Sequence, residues 1–299
     1  MKLATTTGDF GHYSCSQEEC MEWIAQSGFK NLDYSFGMDY NWKTGVYAPD
    51  WRKHLENVKR KADSLGVTFV QAHSPMGSPL APGNEAFTEA TKRSIEGCAE
   101  LGIQNIVVHS GYLPDISKDE AFEKNKVFFM ELLRFAEQYQ INVLVENFNK
   151  MCVDGLYWID NATDLRALID YVDHPLFHAC WDAGHGNMQE MPQDEALGIL
   201  GEHVYALHIQ DNLGGDDSHI APFCGSLNLD AVMHGLKDIG YKGYFTFEAG
   251  NILLPASCRR PYEKDTRLAM APLGLRIKAE NLLYEMGKCI LEAYDCFEE

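Results

Sequence analysis

The chain has 299 residues, 45 % apolar and 23 % charged, the composition of a soluble globular protein long enough to bury a large core without covalent staples. Its formal net charge of −19 argues against a nucleic-acid partner, which calls for a basic patch to neutralise phosphates, and against anionic membrane surfaces. No run of roughly 18 apolar residues predicts a membrane span.

The predicted elements alternate along the whole chain. A strand over Lys2–Thr7 is followed by a helix over Ser16–Ser27, where Ser16 and Glu19 form a capping-box pattern. Next come a strand at Asn31–Phe36, a helix at Pro49–Leu65, a strand at Thr68–Ser74, a helix at Asn84–Leu101 and a strand at Asn105–Ser110. The helix over Ser117–Gln138 carries an apolar stripe of Phe122, Phe129, Leu132, Leu133 and Ala136. Then follow a strand at Asn142–Asn147, a helix at Asn161–Tyr171, strands at His178–Ala183 and Tyr205–Asp211, a helix at Leu229–Ile239 and a strand at Tyr244–Ala249. An irregular, Pro- and Arg-rich excursion is expected over Leu253–Gly274, and a closing helix from Leu275 to about Ala293.

Several strands are continuous apolar runs, as in a parallel sheet covered on both faces. Gly66, Gly102 and Gly240 each stand between a helix and the next strand, as C-caps do. Eight strands alternating with helices predict an α/β fold, a (β/α)8 TIM barrel forming a single domain over residues 1–299. A doubly wound open sheet would want a GxGxxG turn after the first strand, and Thr6–Gly11 does not supply one.

The nine cysteines (15, 20, 98, 152, 180, 224, 258, 289 and 296) are scattered, odd in number and without a CxxC pair. That pattern suits free thiols in a reducing cytoplasm. Residues Met1–Ser14 lack the apolar core of a secretory signal, so a cytoplasmic location is expected.

Six consecutive strands end in a polar residue: His73, His109, Glu146, Asp182, His208 and Glu248. In a barrel the C-terminal strand ends share one mouth, so residues distant in sequence converge. Any one of them alone reads as a solvated strand end or a hydrogen-bonded core histidine. Together, Glu146, Asp182, His208 and Glu248 form a hard-to-borderline O/N donor set suited to Mn²⁺, Mg²⁺, Co²⁺ or Zn²⁺. Packed carboxylates repel one another, and a divalent cation removes that repulsion. His185 follows Asp182 by three residues, and Asp217 and His219 form a DxH pair with Pro222 and Gly225 beyond it. These loop residues either bind substrate oxygens or, His185 together with the pair, hold further metal. Trp181, Phe36, Tyr112 and Phe148 are candidate walls, with core packing an equal reading. Lys150, Arg259 and Arg260 are candidate anion contacts, with surface solvation the better one.

These phrases in this order (Val108–Gly111, Val145–Asn147, Trp181–His185, Leu207–Asp211, Asp217–Pro222 and Phe247–Gly250) resemble the xylose-isomerase-like TIM barrels. That superfamily joins sugar isomerases and epimerases to the apurinic/apyrimidinic endonucleases. The resemblance runs from the first strand to Gly250. It implies one metal held by Glu146, Asp182, His208 and Glu248, with Glu146 and Glu248 also the acid/base pair. It implies a carbohydrate substrate contacted by His185 near the metal, and His73, His109, Asp217 and His219 are read as further substrate contacts.

The implied reaction is proton transfer beside a carbonyl, through an enediolate: isomerisation or epimerisation of a sugar, sugar phosphate or cyclitol. The endonuclease branch implies an alternative, a trinuclear-zinc phosphoesterase whose extra ligands map to His73, His109, His185, Asp217 and His219. A dehydratase or lyase on the same metal, and a metal-loaded sugar-binding barrel without turnover, are further alternatives. Related barrels often assemble, so a homo-oligomer is an open expectation.

Overall fold

The computed structural model describes residues 1–149, 159–253 and 267–299. Its strands are β1 Lys2–Thr6, β2 Asn31–Ser35, β3 Thr68–His73, β4 Asn105–His109, β5 Asn142–Glu146, β6 Phe177–Asp182, β7 Val204–His208 and β8 Tyr244–Phe247. Its helices are α1 Gln17–Ala25, α2 Phe36–Trp42, α3 Trp51–Leu65, α4 Glu85–Leu101, α5 Lys118–Ala136, α6 Ala162–Val172, α7 Ala183–Asn187, α8 Gln193–Leu200, α9 Leu229–Asp238 and α10 Leu273–Ala293.

The sheet runs β7-β6-β5-β4-β3-β2-β1-β8, and every strand pair is parallel. Its outer strands approach through a bridge between Ile209 and Phe247. There the Ile209 N–H donates to the Thr246 carbonyl at 2.8 Å, and the Glu248 N–H to the Ile209 carbonyl at 3.0 Å. The result is the expected single-domain (β/α)8 barrel.

The strand period of two sorts side chains into two environments. Ile106 and Val108 of β4, Val143 and Val145 of β5, Ala179 and Trp181 of β6, and Leu207 of β7 join the large core beneath the helices. The alternate residues Val107, Leu144, Cys180 and Ala206 form a separate apolar cluster inside the barrel. Two residues further along each of those strands stand His109, Glu146, Asp182 and His208. The alternation that fills the barrel axis with small apolar groups therefore delivers four polar ones to its mouth. Helices α3 and α4 both stop at a left-handed glycine, Gly66 (φ 66°) and Gly102 (φ 76°), and turn directly into the next strand.

Three helices, α2, α7 and α8, are absent from the sequence reading. Helix α7 contains Gly184 and Gly186, and α8 contains Gly198, so intrinsic propensity speaks against both. The observed strands also end earlier than the apolar runs suggest: β7 stops at His208 and β8 at Phe247, and the polar residues beyond them belong to mouth loops. Ser16 does cap α1, accepting from the Glu19 N–H at 3.3 Å, but Glu19 pairs with Ser14, so the reciprocal half of the box is missing. The full capping box is at Ser117 and Glu120. Helix α10 begins two residues before Leu275. Most of the expected excursion, with Arg259, Arg260 and Cys258, and likewise Lys150 and Cys152, lies outside the described residues.

Candidate functional site

Glu146 ends β5 completely buried. Its Oε1 lies 2.7 Å from His208 Nδ1, and its Oε2 lies 2.7 Å from His109 Nε2 and 3.3 Å from His73 Nε2. Burial would raise this carboxyl, but the imidazoles of His208, His109 and His73 hold it well below the usual range. Glu248 reaches in from just beyond β8, its Oε2 3.6 Å from the same His208 Nδ1 and 3.8 Å from His219 Nδ1. Its side chain is 26 % exposed, whereas that of Glu146 is fully enclosed.

Asp182 ends β6 and caps α7. Its Oδ1 accepts from the His185 N–H at 2.6 Å and from Gln210 Nε2 at 3.4 Å. Its Oδ2 is buried with no hydrogen-bond partner among the described residues, and burial pushes this carboxyl up to about 7. The Asn147 side chain clamps the Asp182 backbone, accepting from its N–H at 2.7 Å and donating to its carbonyl at 2.9 Å.

One ligand atom from each of Glu146, Asp182, His208 and Glu248 lies within 4.8 Å of the others. A divalent cation fits this set. The donors are oxygen and imidazole nitrogen, the buried Asp182 Oδ2 has no partner among the described residues, and three carboxylates converge where only positive charge relieves their repulsion.

A second group lies beside the first. His185 Nε2 is 3.0 Å and His219 Nε2 3.2 Å from Asp217 Oδ2. Gln210 Nε2 donates to Asp217 Oδ1 at 2.7 Å. Burial would raise Asp217, but His185 and His219 hold it well below the usual range. Burial would likewise lower His185, but Asp182 and Asp217 raise it to about 10. These three side chains are also close enough to hold an ion, as are His73, Glu146 and His208.

All nine residues singled out from the sequence therefore converge on one mouth. Asp217 is a half-buried partner of two histidines, whereas Asp216 is exposed and bonded to Ser218. Among the candidate walls, Phe148 packs between His109 and His185, with ring centroids 4.9 Å from each. Trp181 and Phe36 belong to the core under the helices, and Tyr112 packs against that core. The Trp181 indole donates to Gln193 at 2.9 Å. Reading strand ends overlooked Asp33, which stands inside β2 and contacts His208 Nε2 at 3.1 Å. Its signal was an acidic residue between two apolar ones, Leu32 and Tyr34, at the centre of a strand.

Residues 21–269 match the family described as xylose isomerase-like TIM barrel. An uncharacterised protein of Methanocaldococcus jannaschii is 31 % identical over 67 % of this chain and 70 % of its own. A fructoselysine 3-epimerase of Shigella flexneri is 28 % identical over 81 % of this chain and 89 % of its own. A probable endonuclease 4 of a Geobacter species is 26 % identical over 67 % and 76 %. The crystal structure of a D-tagatose 3-epimerase-like protein superposes with a TM-score of 0.72 at 23 % identity, covering 98 % of this chain and all of the other. With the match spanning most of the barrel, the chain belongs to the xylose isomerase-like TIM barrel family.

Proposed function

We propose that the protein is a divalent-metal-dependent sugar isomerase or epimerase, with Glu146 and Glu248 as its acid/base pair. The observation that carries this reading is the convergence of Glu146, Asp182, His208 and Glu248 within 4.8 Å, around a buried Asp182 oxygen that has no partner among the described residues. The likeness to a fructoselysine 3-epimerase over most of both chains supports it.

A bound divalent ion supplies Lewis-acid stabilisation of the negative charge that develops on the substrate oxygens. Glu146 and Glu248 bring carboxylate oxygens to 2.7 and 3.6 Å from the same His208 nitrogen, so a sugar held beside the ion is within reach of both carboxylates. One removes the proton and the other returns it. Return to the opposite face of the same carbon epimerises; return to the neighbouring carbon isomerises. His185, His109, His73 and His219 hydrogen-bond the hydroxyls and fix the carbon within reach, which matters as much as basicity. Phe148 closes one wall and excludes water.

Glu146→Gln and Glu248→Gln are expected to cut deuterium exchange from solvent into a ketose by about 10³-fold. Exchange retained in both variants overturns the assignment.

A second reading is a zinc phosphoesterase. The adjacent His185–Asp217–His219 group favours it, as does the likeness to a probable endonuclease 4. Elemental analysis separates the two: one ion per chain supports the isomerase, and three zinc ions with cleavage of an abasic-site duplex support the phosphoesterase.

A further inference from the structure

Below the mouth, on the β2, β3 and β8 side, the barrel interior is polar. The β2–β3 pairing shifts register between Leu32 and Asp33, from Leu32 opposite Phe69 to Asp33 opposite Gln71. That irregularity sets Asp33 beside Gln71 inside the barrel, 1 % exposed. Thr246 Oγ1 donates to Gln71 Oε1 at 3.1 Å, which turns the Gln71 amide nitrogen toward Asp33, where it donates to Oδ2 at 2.8 Å. The same Oδ2 stands 3.1 Å from His208 Nε2.

We propose that Asp33 is a positioning residue that holds the proton of His208 on Nε2 and so presents Nδ1 as the metal-facing nitrogen. The inference rests on the metal reading above. Asp33 Oδ2 already accepts from Gln71 Nε2 and offers lone pairs to its neighbours, so the imidazole nitrogen facing it carries hydrogen. The other nitrogen, Nδ1, faces Glu146 at 2.7 Å and Glu248 at 3.6 Å. Without an ion, a proton on Nδ1 donated to Glu146 Oε1 holds the two together, and a metal ion that takes that proton's place finds its imidazole ligand already oriented by Asp33 at Nε2. Outer partners of this kind fix the tautomer and ring plane of a ligating histidine. Packing gives no reason for a carboxylate here, because Asp33 Oδ1 is buried without a partner among the described residues.

The test is titration of the full-length protein, stripped of metal, with Mn²⁺ or Zn²⁺ alone against a competing chelator. Asp33→Asn is expected to weaken affinity about 10- to 100-fold. A change below about twofold, set against that range, overturns the inference while leaving the metal reading intact. Wild-type protein that takes up neither ion overturns both. Nitrogen-15 spectra of histidine-labelled wild type and Asp33→Asn, both loaded with Zn²⁺, give a second readout, a displaced His208 Nε2 resonance in the variant, that a merely structural Asp33 would not move. A proton on Nε2 of His208 in the metal-loaded protein is expected; a proton on Nδ1 overturns the inference.

Discussion

Asp211 is 1 % exposed, and its carboxylate accepts from the backbone N–H groups of Asn212 at 2.8 Å, Gly225 at 2.9 Å and Leu227 at 2.9 Å. These three bonds tie down both ends of the loop that carries Asp217 and His219, whose backbone at His219 is left-handed with φ 47°. Asp211→Ala should cost about 3 kcal/mol, since it strips acceptors from amides that are largely enclosed. Urea denaturation checks this, and a loss below about 0.5 kcal/mol, typical of an ordinary surface change, would mean that the loop holds itself. Gly184 is constrained differently: a Cβ there would fall 2.0 Å from Gln210 Cδ. Gly184→Ala should therefore displace Gln210 from Asp182 and Asp217 and lower metal affinity by the same chelator competition, with the fold retained.

Among the elements, α10 is bound to β1 by a buried polar cluster. Thr5 Oγ1 contacts Asp9 Oδ2 at 2.6 Å and Glu280 Oε1 at 3.1 Å, while Arg276 Nη1 donates to Glu280 Oε2 at 2.6 Å. Burial, then the neighbouring Glu280, raises the Asp9 carboxyl well above its ordinary value, with Arg276 opposing. The folded chain thus holds this proton more tightly than the unfolded chain. Asp9 contributes stability below the unfolded carboxyl value of about 4, and that contribution is lost as pH rises through and above it. Asp9→Asn should gain on wild type progressively above about pH 4, as read by thermal midpoints across a pH series; a constant difference would remove Asp9 as the cause. Ser117→Ala, which breaks the capping box of α5, should cost about 1 kcal/mol independently of pH.

For the molecule as a unit, the mouth gathers carboxylates in a chain that already carries a net charge of −19. If an ion occupies the site, chelation should lower the thermal midpoint and added Mn²⁺ or Zn²⁺ should raise it. Ion at 100 times its dissociation constant would add about 2.7 kcal/mol. No shift with either ion would count against the metal reading. Among the described residues, no helix is long and apolar enough to cross a membrane.

The barrel and the membership of its mouth were legible in the residue pattern alone. Strands buried on both faces must be apolar, helices must end before them, and a parallel barrel brings every strand end to one side. His73, His109, Glu146, Asp182, His208 and Glu248 could therefore be gathered without coordinates. What those residues touch was not legible in the same way. The Leu32/Asp33 register shift, which no local pattern announces, places Asp33 under His208. The short glycine-containing α7, held by the Asp182 cap, brings His185 to Asp217. The β2–β3 register and the His185–Asp217 contact both join segments far apart in the chain, and hydrophobic periodicity carries no record of such contacts.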